Sequence, residues 1–359
     1  MQNKRLVFHV GLPKAATAFM RREIYPRLDS EKVFHSQTYF KDETNIISDV
    51  LFRNTTPENF ADTFEKKLKN ISQDTVLFCE FGLSGNPLVP GVDYESFYER
   101  TDFFAKVFPD AVIIIILRNQ IDWFISLYRN VIRNGSSISI DEFLNFENRK
   151  FVRGPCQKMN RIDALSFDFS AMCKYYVKLF GDDNVHFFFY EDLKIDPEGF
   201  IKKLQDVIGA DLGEEIRLRA VNRGFSAFAL TTTRLKNKIF RRTRADDRES
   251  VIRRYLLVAP VYMLEKYDIP NRPFGLAIKE VSPVKIPAIF LRRVLIKIGQ
   301  FFTWPSFVQH FLDKIFYLDW DILGEEKRNL LRAHYAKVNE GLLPFFKNEK
   351  AKKYYLYDS

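Results

Sequence analysis

Gly11-Leu12-Pro13-Lys14-Ala15-Ala16-Thr17 places a glycine, a cation and a hydroxyl between a strand-like run and a helical one. Such a turn aims backbone N–H groups and the positive end of a helix into one pocket, which suits an anion. Lys14 adds a point charge and Thr17 a hydroxyl donor, both matched to a phosphate. The spacing is not that of the nucleotide-triphosphate loop G-x-x-x-x-G-K-[ST]. Lys14 follows Gly11 by three residues, neither Ser nor Thr comes directly after it, and no acidic strand end stands out as a magnesium ligand. On this loop alone, a plain strand-to-helix turn with an exposed lysine stays open.

A second constellation lies in Leu117–Asn130 (LRNQIDWFISLYRN). Arg118 sits at the carboxyl edge of the most apolar run in the chain, where open α/β sheets bind ligands. Ser126 follows eight residues later, about two turns along the next helix, where its hydroxyl can share an anion with the guanidinium. The competing readings are an ion pair from Arg118 to Asp122 and an ordinary helix serine at 126. Two anion sites at the carboxyl ends of two strands point to a ligand with two separated phosphates.

The elements that must position these residues alternate. Arg5–Val10, Thr75–Glu80, Ala111–Leu117 and Asn184–Tyr190 read as strands, and Ala16–Leu28, Ile121–Ile132 and Pro197–Ile208 as helices. The run AVIIIIL is apolar on both faces, as the centre of a covered parallel sheet should be. Strands separated by helices predict βαβ units, hence an α/β fold with a parallel sheet flanked by helices. After Ser226 the strand signals fade. Thr231–Lys266, Ile286–Tyr317 and Glu325–Phe346 look helical, so residues 227–359 are expected to form a mainly helical C-terminal region on a core of residues 1–226.

In 359 residues, 46% are hydrophobic and 28% charged, which excludes wholesale disorder. Basic residues number 30 against 32 acidic through residue 226, then 25 against 14, so the net +9 belongs to the C-terminal third. Cys79, Cys156 and Cys173 form no CxxC pair, which argues against a zinc site or disulfide framework and for a reducing compartment. Charged Lys4 and Arg5 lead straight into the first strand, unlike a secretory signal, and no stretch of 18 apolar residues occurs. A cytoplasmic protein is expected.

These motifs resemble those of the sulfotransferases that use 3′-phosphoadenosine 5′-phosphosulfate (PAPS). The family's 5′-phosphosulfate loop, G-x-P-K-x-G-T-[TS], is similar to Gly11-Leu12-Pro13-Lys14-Ala15-Ala16-Thr17-Ala18, with alanines replacing the second glycine and the last hydroxyl residue. Its 3′-phosphate motif, R-N-P-x-D-x-x-x-S-x-Y, is matched by Arg118, Asn119, Asp122, Ser126 and Tyr128, with Gln120 in place of proline. Tyr190-Glu191-Asp192-Leu193 with Asp196-Pro197 resembles a segment after the last core strand. Asn222-Arg223-Gly224-Phe225-Ser226 resembles the loop that closes on the 3′-phosphate, and Tyr335–Leu343 the family's closing helix.

The resemblance implies the P-loop-like sulfotransferase fold, PAPS as donor, 3′-phosphoadenosine 5′-phosphate (PAP) as product, and no metal. It implies that Lys14 stabilises the leaving group, with Thr17 and the loop amides of residues 15–18 around it. Arg118, Ser126, Arg223 and Gly224 would hold the 3′-phosphate. For the base that takes the acceptor proton it points to Glu80 at the second strand's end, with His35 as rival, while His9 and His186 read as core histidines. The acceptor is expected to be a hydroxyl of a carbohydrate or glycolipid.

The basic stretch Arg234–Arg254 and the apolar, basic run Ala288–Trp304 allow three readings. They suit a helix at the inner membrane surface, a groove for an acidic polysaccharide, or a solvated face over an ordinary core. No nucleic-acid motif accompanies the charge. Two other functions compete: a Mg²⁺-dependent nucleotide kinase, and a non-catalytic nucleotide-binding relative, for which Ala16 and Ala18 speak.

Overall fold

The computed structural model describes residues 4–35, 56–79, 84, 87–88, 97–154, 160–212, 224–239, 313 and 317–357. The strands are β1 (Arg5–His9), β2 (Val33–His35), β3 (Thr75–Cys79), β4 (Val112–Leu117), the hairpin pair β5 (Phe146–Glu147) and β6 (Lys150–Phe151), and β7 (Val185–Phe189). The main sheet has the order β2-β3-β1-β4-β7, and every neighbouring pair in it is parallel.

β4 is buried along its whole length and paired on both sides, with β1 and with β7. Its isoleucines are fully buried, each contributing roughly 1.5–3 kcal/mol. The sequence locates β1, β3, β4 and β7 to within one residue at each end. It does not reveal β2, a three-residue strand paired among the described residues only with β3, because three residues carry no alternation to read. From β1 the chain turns toward β2 and β3, and from β4 toward β7. The two connections diverge above the carboxyl ends of neighbouring strands, which opens the crevice where such sheets bind ligands.

Helices Pro57–Leu68, Phe97–Val107, Gln120–Arg133, Phe169–Phe180, Tyr190–Ile195 and Pro197–Ile208 accompany this sheet. The last fulfils its sequence signature: Asp196 accepts from Gly199 N, and proline stands in the first turn. The expected helix Ala16–Leu28 is instead composite. An α-helical turn (Thr17–Phe19) widens into a π turn (Met20–Ile24) and ends in a 3-10 turn (Tyr25–Arg27). Pro26 has no N–H to donate, so α-type bonding cannot run through it.

The chain divides into two compact units: Met1–Leu127 with Ile140–Arg223 and Leu323–Ser359, and Tyr128–Ser139 with Gly224–Ile322. The division expected at residue 226 differs from this, because the last segment joins the sheet-bearing unit. It does so through buried aromatic groups: Tyr335 and Tyr355 are fully buried, and Tyr335 Oη donates to Ala164 O at 2.6 Å. The expected helix Glu325–Phe346 ends at Val338, and a 3-10 stretch containing Pro344 (Asn339–Phe345) and a helix (Glu349–Leu356) follow.

In the second unit, helix Ala227–Ile239 is capped by Ser226, whose Oγ accepts from Ala229 N at 3.0 Å and donates to Asp313 at 2.6 Å. Most of Thr231–Lys266, nearly all of Ile286–Tyr317 and the arginines from 241 to 254 lie outside the described residues. Among the described residues no helix is long and apolar enough to cross a membrane.

Candidate active site

The loop after β1 owes its shape to two left-handed residues, Lys14 (φ 68) and Ala16 (φ 62). Alternating backbone hand turns neighbouring N–H groups toward one concavity, a nest for an anion. Ala16 is the N-cap of the turn Thr17–Phe19 and offers no side-chain cap, so the first helical amides face the loop. A non-glycine residue held left-handed costs roughly 1–2 kcal/mol. Ala16 thus adopts a backbone region that favours glycine. At Gly11 the demand is spatial: a Cβ would lie 2.9 Å from His9 Nε2 and 3.3 Å from Ile116 N.

Side-chain hydrogen bonds pin this loop. Trp123 Nε1 donates to Pro13 O at 2.6 Å, Thr17 Oγ1 to Leu12 O at 3.4 Å, and Ser84 Oγ to Val10 O. Ala15 and Thr17 are buried, Ala16 and Ala18 half-buried, and Lys14 is exposed at the crest. Trp123 is therefore the strut between the loop after β1 and the helix after β4. Its signal in the sequence is a donor-bearing aromatic one turn before Ser126. Ser126 is half-buried and neighbours Trp123 along the helix surface.

Arg118 follows β4 and reaches across to the loop, with Nη1 donating to Lys14 O at 3.3 Å. Its guanidinium lies 4.7 Å from the Tyr190 ring centroid, and its Nε is buried with no partner among the described residues. The ion pair with Asp122 that the sequence left open does not form. Asn119 occupies Asp122 instead, accepting from Asp122 N at 3.0 Å and donating to Oδ2 at 3.1 Å.

Asn119 is itself held by buried Glu191, whose Oε1 accepts from Asn119 Nδ2 at 2.8 Å and from its N at 3.2 Å. Gln120, in the motif's proline position, exchanges two hydrogen bonds with Asn339, at 2.7 and 3.0 Å. Tyr190, Glu191 and Asn339 are contacts that the sequence could not give, since each reaches this segment from a distant one.

His9 and His35 end β1 and β2. His9 Nδ1 lies 2.7 Å from Tyr25 Oη and 3.4 Å from Cys79 Sγ, and Tyr25 also packs edge-on against His35. Burial pulls the His9 imidazole down to about 3. Burial, then the charge of Arg21, pulls His35 down to about 4. His9 is a core histidine as expected, whereas His186 is half-buried, and burial with Lys203 nearby lowers it. With β3 between β2 and β1, His35 stands roughly 10 Å from β1 at ~4.8 Å per strand. Cys79 pairs directly with His9; Glu80, which follows it, lies outside the described residues, as does Arg223, while Gly224 belongs to the second unit.

Both imidazoles stay neutral in the fold while the unfolded chain protonates them below about pH 6.5. The unfolded state therefore binds more protons below that pH, and stability is full above it. Stability is expected to fall as pH drops toward 4, by at most ~1.4 kcal/mol per pH unit for each histidine. Urea unfolding at pH 7 and 5 measures this, and His9→Asn should flatten the loss. An equal loss in both proteins would assign it to other groups.

A family model described as "Sulfotransferase domain" matches residues 92–250, a stretch holding Arg118, Ser126, Tyr190 and Glu191 and starting after the Gly11–Ala18 loop. Among solved structures, a sulfotransferase from Alicyclobacillus acidocaldarius is similar at 19% identity and TM-score 0.42, over 60% of this chain and 87% of that one. Mouse sulfotransferase SULT7A1, in a structure titled as complexed with PAP, is similar at 14% identity and TM-score 0.33, over 86% and 89% of the two chains. No curated protein matches the sequence. Residues 92–250 are thus similar to a sulfotransferase domain.

Proposed function

We propose that this enzyme moves a sulfuryl group from PAPS to a hydroxyl of a carbohydrate or glycolipid. One observation carries the reading: Arg118 Nη1 lies 3.3 Å from the carbonyl of Lys14, so two cationic residues stand together where the connections from β1 and β4 diverge. Lys14, the amides of residues 15–18 and Thr17 surround the 5′ end of the donor. Arg118 and Ser126 grip the 3′-phosphate. The acceptor oxygen bonds to sulfur as the sulfur–oxygen bond to the 5′-phosphate breaks; the acceptor proton passes to the base, and PAP departs with the electron pair. Lys14 stabilises that developing charge, and as in phosphoryl transfer most of the catalysis is positioning and electrostatics, here without a metal. Glu80 is the favoured base, since it follows a strand adjacent to β1 while His35 is a strand further away. The acceptor class rests on the basic C-terminal third, which suits an acidic polysaccharide or a lipid-linked glycan at the inner membrane surface.

Thermal unfolding with PAP and with ATP–Mg²⁺ tests the donor. A ligand at a hundred times its Kd adds ~2.7 kcal/mol of stability, a shift of several degrees. PAP should give it and ATP–Mg²⁺ should not. A shift with ATP–Mg²⁺ alone indicates a kinase, and no shift with either overturns the assignment.

A further inference from the structure

The register of β4 and β7 pairs Leu117 with Phe189 as the last rung of the ladder. The next two positions continue it through side chains. Arg118 stacks on Tyr190 at 4.7 Å, and Asn119 donates twice to Glu191 Oε1. The Arg118–Tyr190 stack is thus held between a backbone rung below and a side-chain rung above. That upper rung depends on a buried carboxyl whose second oxygen, Oε2, accepts from Tyr355 Oη at 2.8 Å. Burial, then the neighbouring Glu191 carboxyl, raises the Tyr355 phenol well above its ordinary range, which keeps it a donor.

Tyr355 reaches this point from the C-terminal helix Glu349–Leu356, seated on Phe189 and Phe346 at ring distances of 5.2 Å each. Its backbone carbonyl also accepts from Asn339 Nδ2 at 2.9 Å, and Asn339 clasps Gln120, directly after Asn119. One tyrosine therefore fastens both sides of the β4 exit.

We propose that Tyr355 is a positioning residue for Arg118: through Glu191 and Asn119 it fixes the guanidinium that receives the donor's 3′-phosphate. The proposal rests on the donor reading above. Tyr355→Phe keeps the ring packing and removes only the hydroxyl. Calorimetric titration with PAP should show about fivefold weaker binding, with KM for PAPS rising in step and kcat within twofold of wild type.

Tyr335→Phe is the control. It deletes a comparably buried hydroxyl bonded to Ala164 O and should lower Tm without changing PAP affinity. In an Arg118→Lys background, Tyr355→Phe should weaken PAP binding less than twofold, since the group it positions is already lost. Wild-type affinity in Tyr355→Phe, or the full fivefold loss in the Arg118→Lys background, overturns the proposal and leaves the donor assignment standing. No PAP binding by the wild type removes both. Should Tyr355→Phe fail to fold, Glu191→Gln reads the same link, with weaker PAP binding expected and wild-type affinity counting against it.

Discussion

Lys14→Ala is expected to lower kcat for sulfate transfer by about 10²–10³-fold while leaving Tm within a degree or two of wild type. The two halves of this prediction come from different observations. Lys14 is exposed at the crest of its loop and held at φ 68. Alanine meets the same backbone cost there, so the fold has little to lose. The catalytic loss follows from removing the one side-chain cation of the loop where the 5′-phosphate must leave with extra negative charge. PAP release measured at saturating PAPS checks it. Lys14→Arg should recover only part of the rate, because a planar fork does not reproduce an ammonium point charge. Unimpaired turnover in Lys14→Ala would show that the loop does not hold the reacting end of the donor.

Arg118→Ala should act differently, raising the Kd for PAP by about 10–100-fold and KM for PAPS with it, while kcat at saturation changes little. The 3′-phosphate is charged equally before and during transfer, so a residue that grips it contributes to binding throughout. Isothermal titration with PAP and initial-rate kinetics separate the two constants. A fall in kcat at unchanged KM would place Arg118 at the reacting centre instead, and identical behaviour of Arg118→Ala and wild type would end the two-anion reading.

Much of the scaffold is legible in the sequence because it is written in local pattern. AVIIIIL has no polar face, so only a strand covered on both sides suits it, and β4 is that strand. Asp196-Pro197 announces a helix start by its own chemistry, and the helix runs as read. The composite segment after the first loop is a different case. Its apolar spacing fits a single helix, and only Pro26 hints that the hydrogen bonding changes register.

Within the candidate site, Lys14, Arg118 and Ser126 are legible because a cation after a strand, or a hydroxyl two turns along the next helix, is a local pattern. Their supports are not. Trp123 Nε1 to Pro13 O joins positions separated by 110 residues, and Tyr355 to Glu191 by 164. No periodicity encodes such a pairing. Asp122 shows the same limit in reverse: adjacency suggested a partner for Arg118, and the geometry gave it to Asn119.

The clasp between Gln120 and Asn339 spans 219 residues of chain. At ordinary rates of translation, roughly 5–20 residues per second, the earlier amide waits on the order of 10–40 s after its own synthesis before the later one exists. During that interval the exit of β4 is laid down while Gln120 lacks the amide that will satisfy it, and Asn119 and Glu191 lack the tyrosine. A nascent chain stalled before residue 339 should therefore display a formed sheet whose β4 exit is not yet fastened, and on the proposed function it should bind PAP poorly until residues 339–355 have emerged from the ribosome.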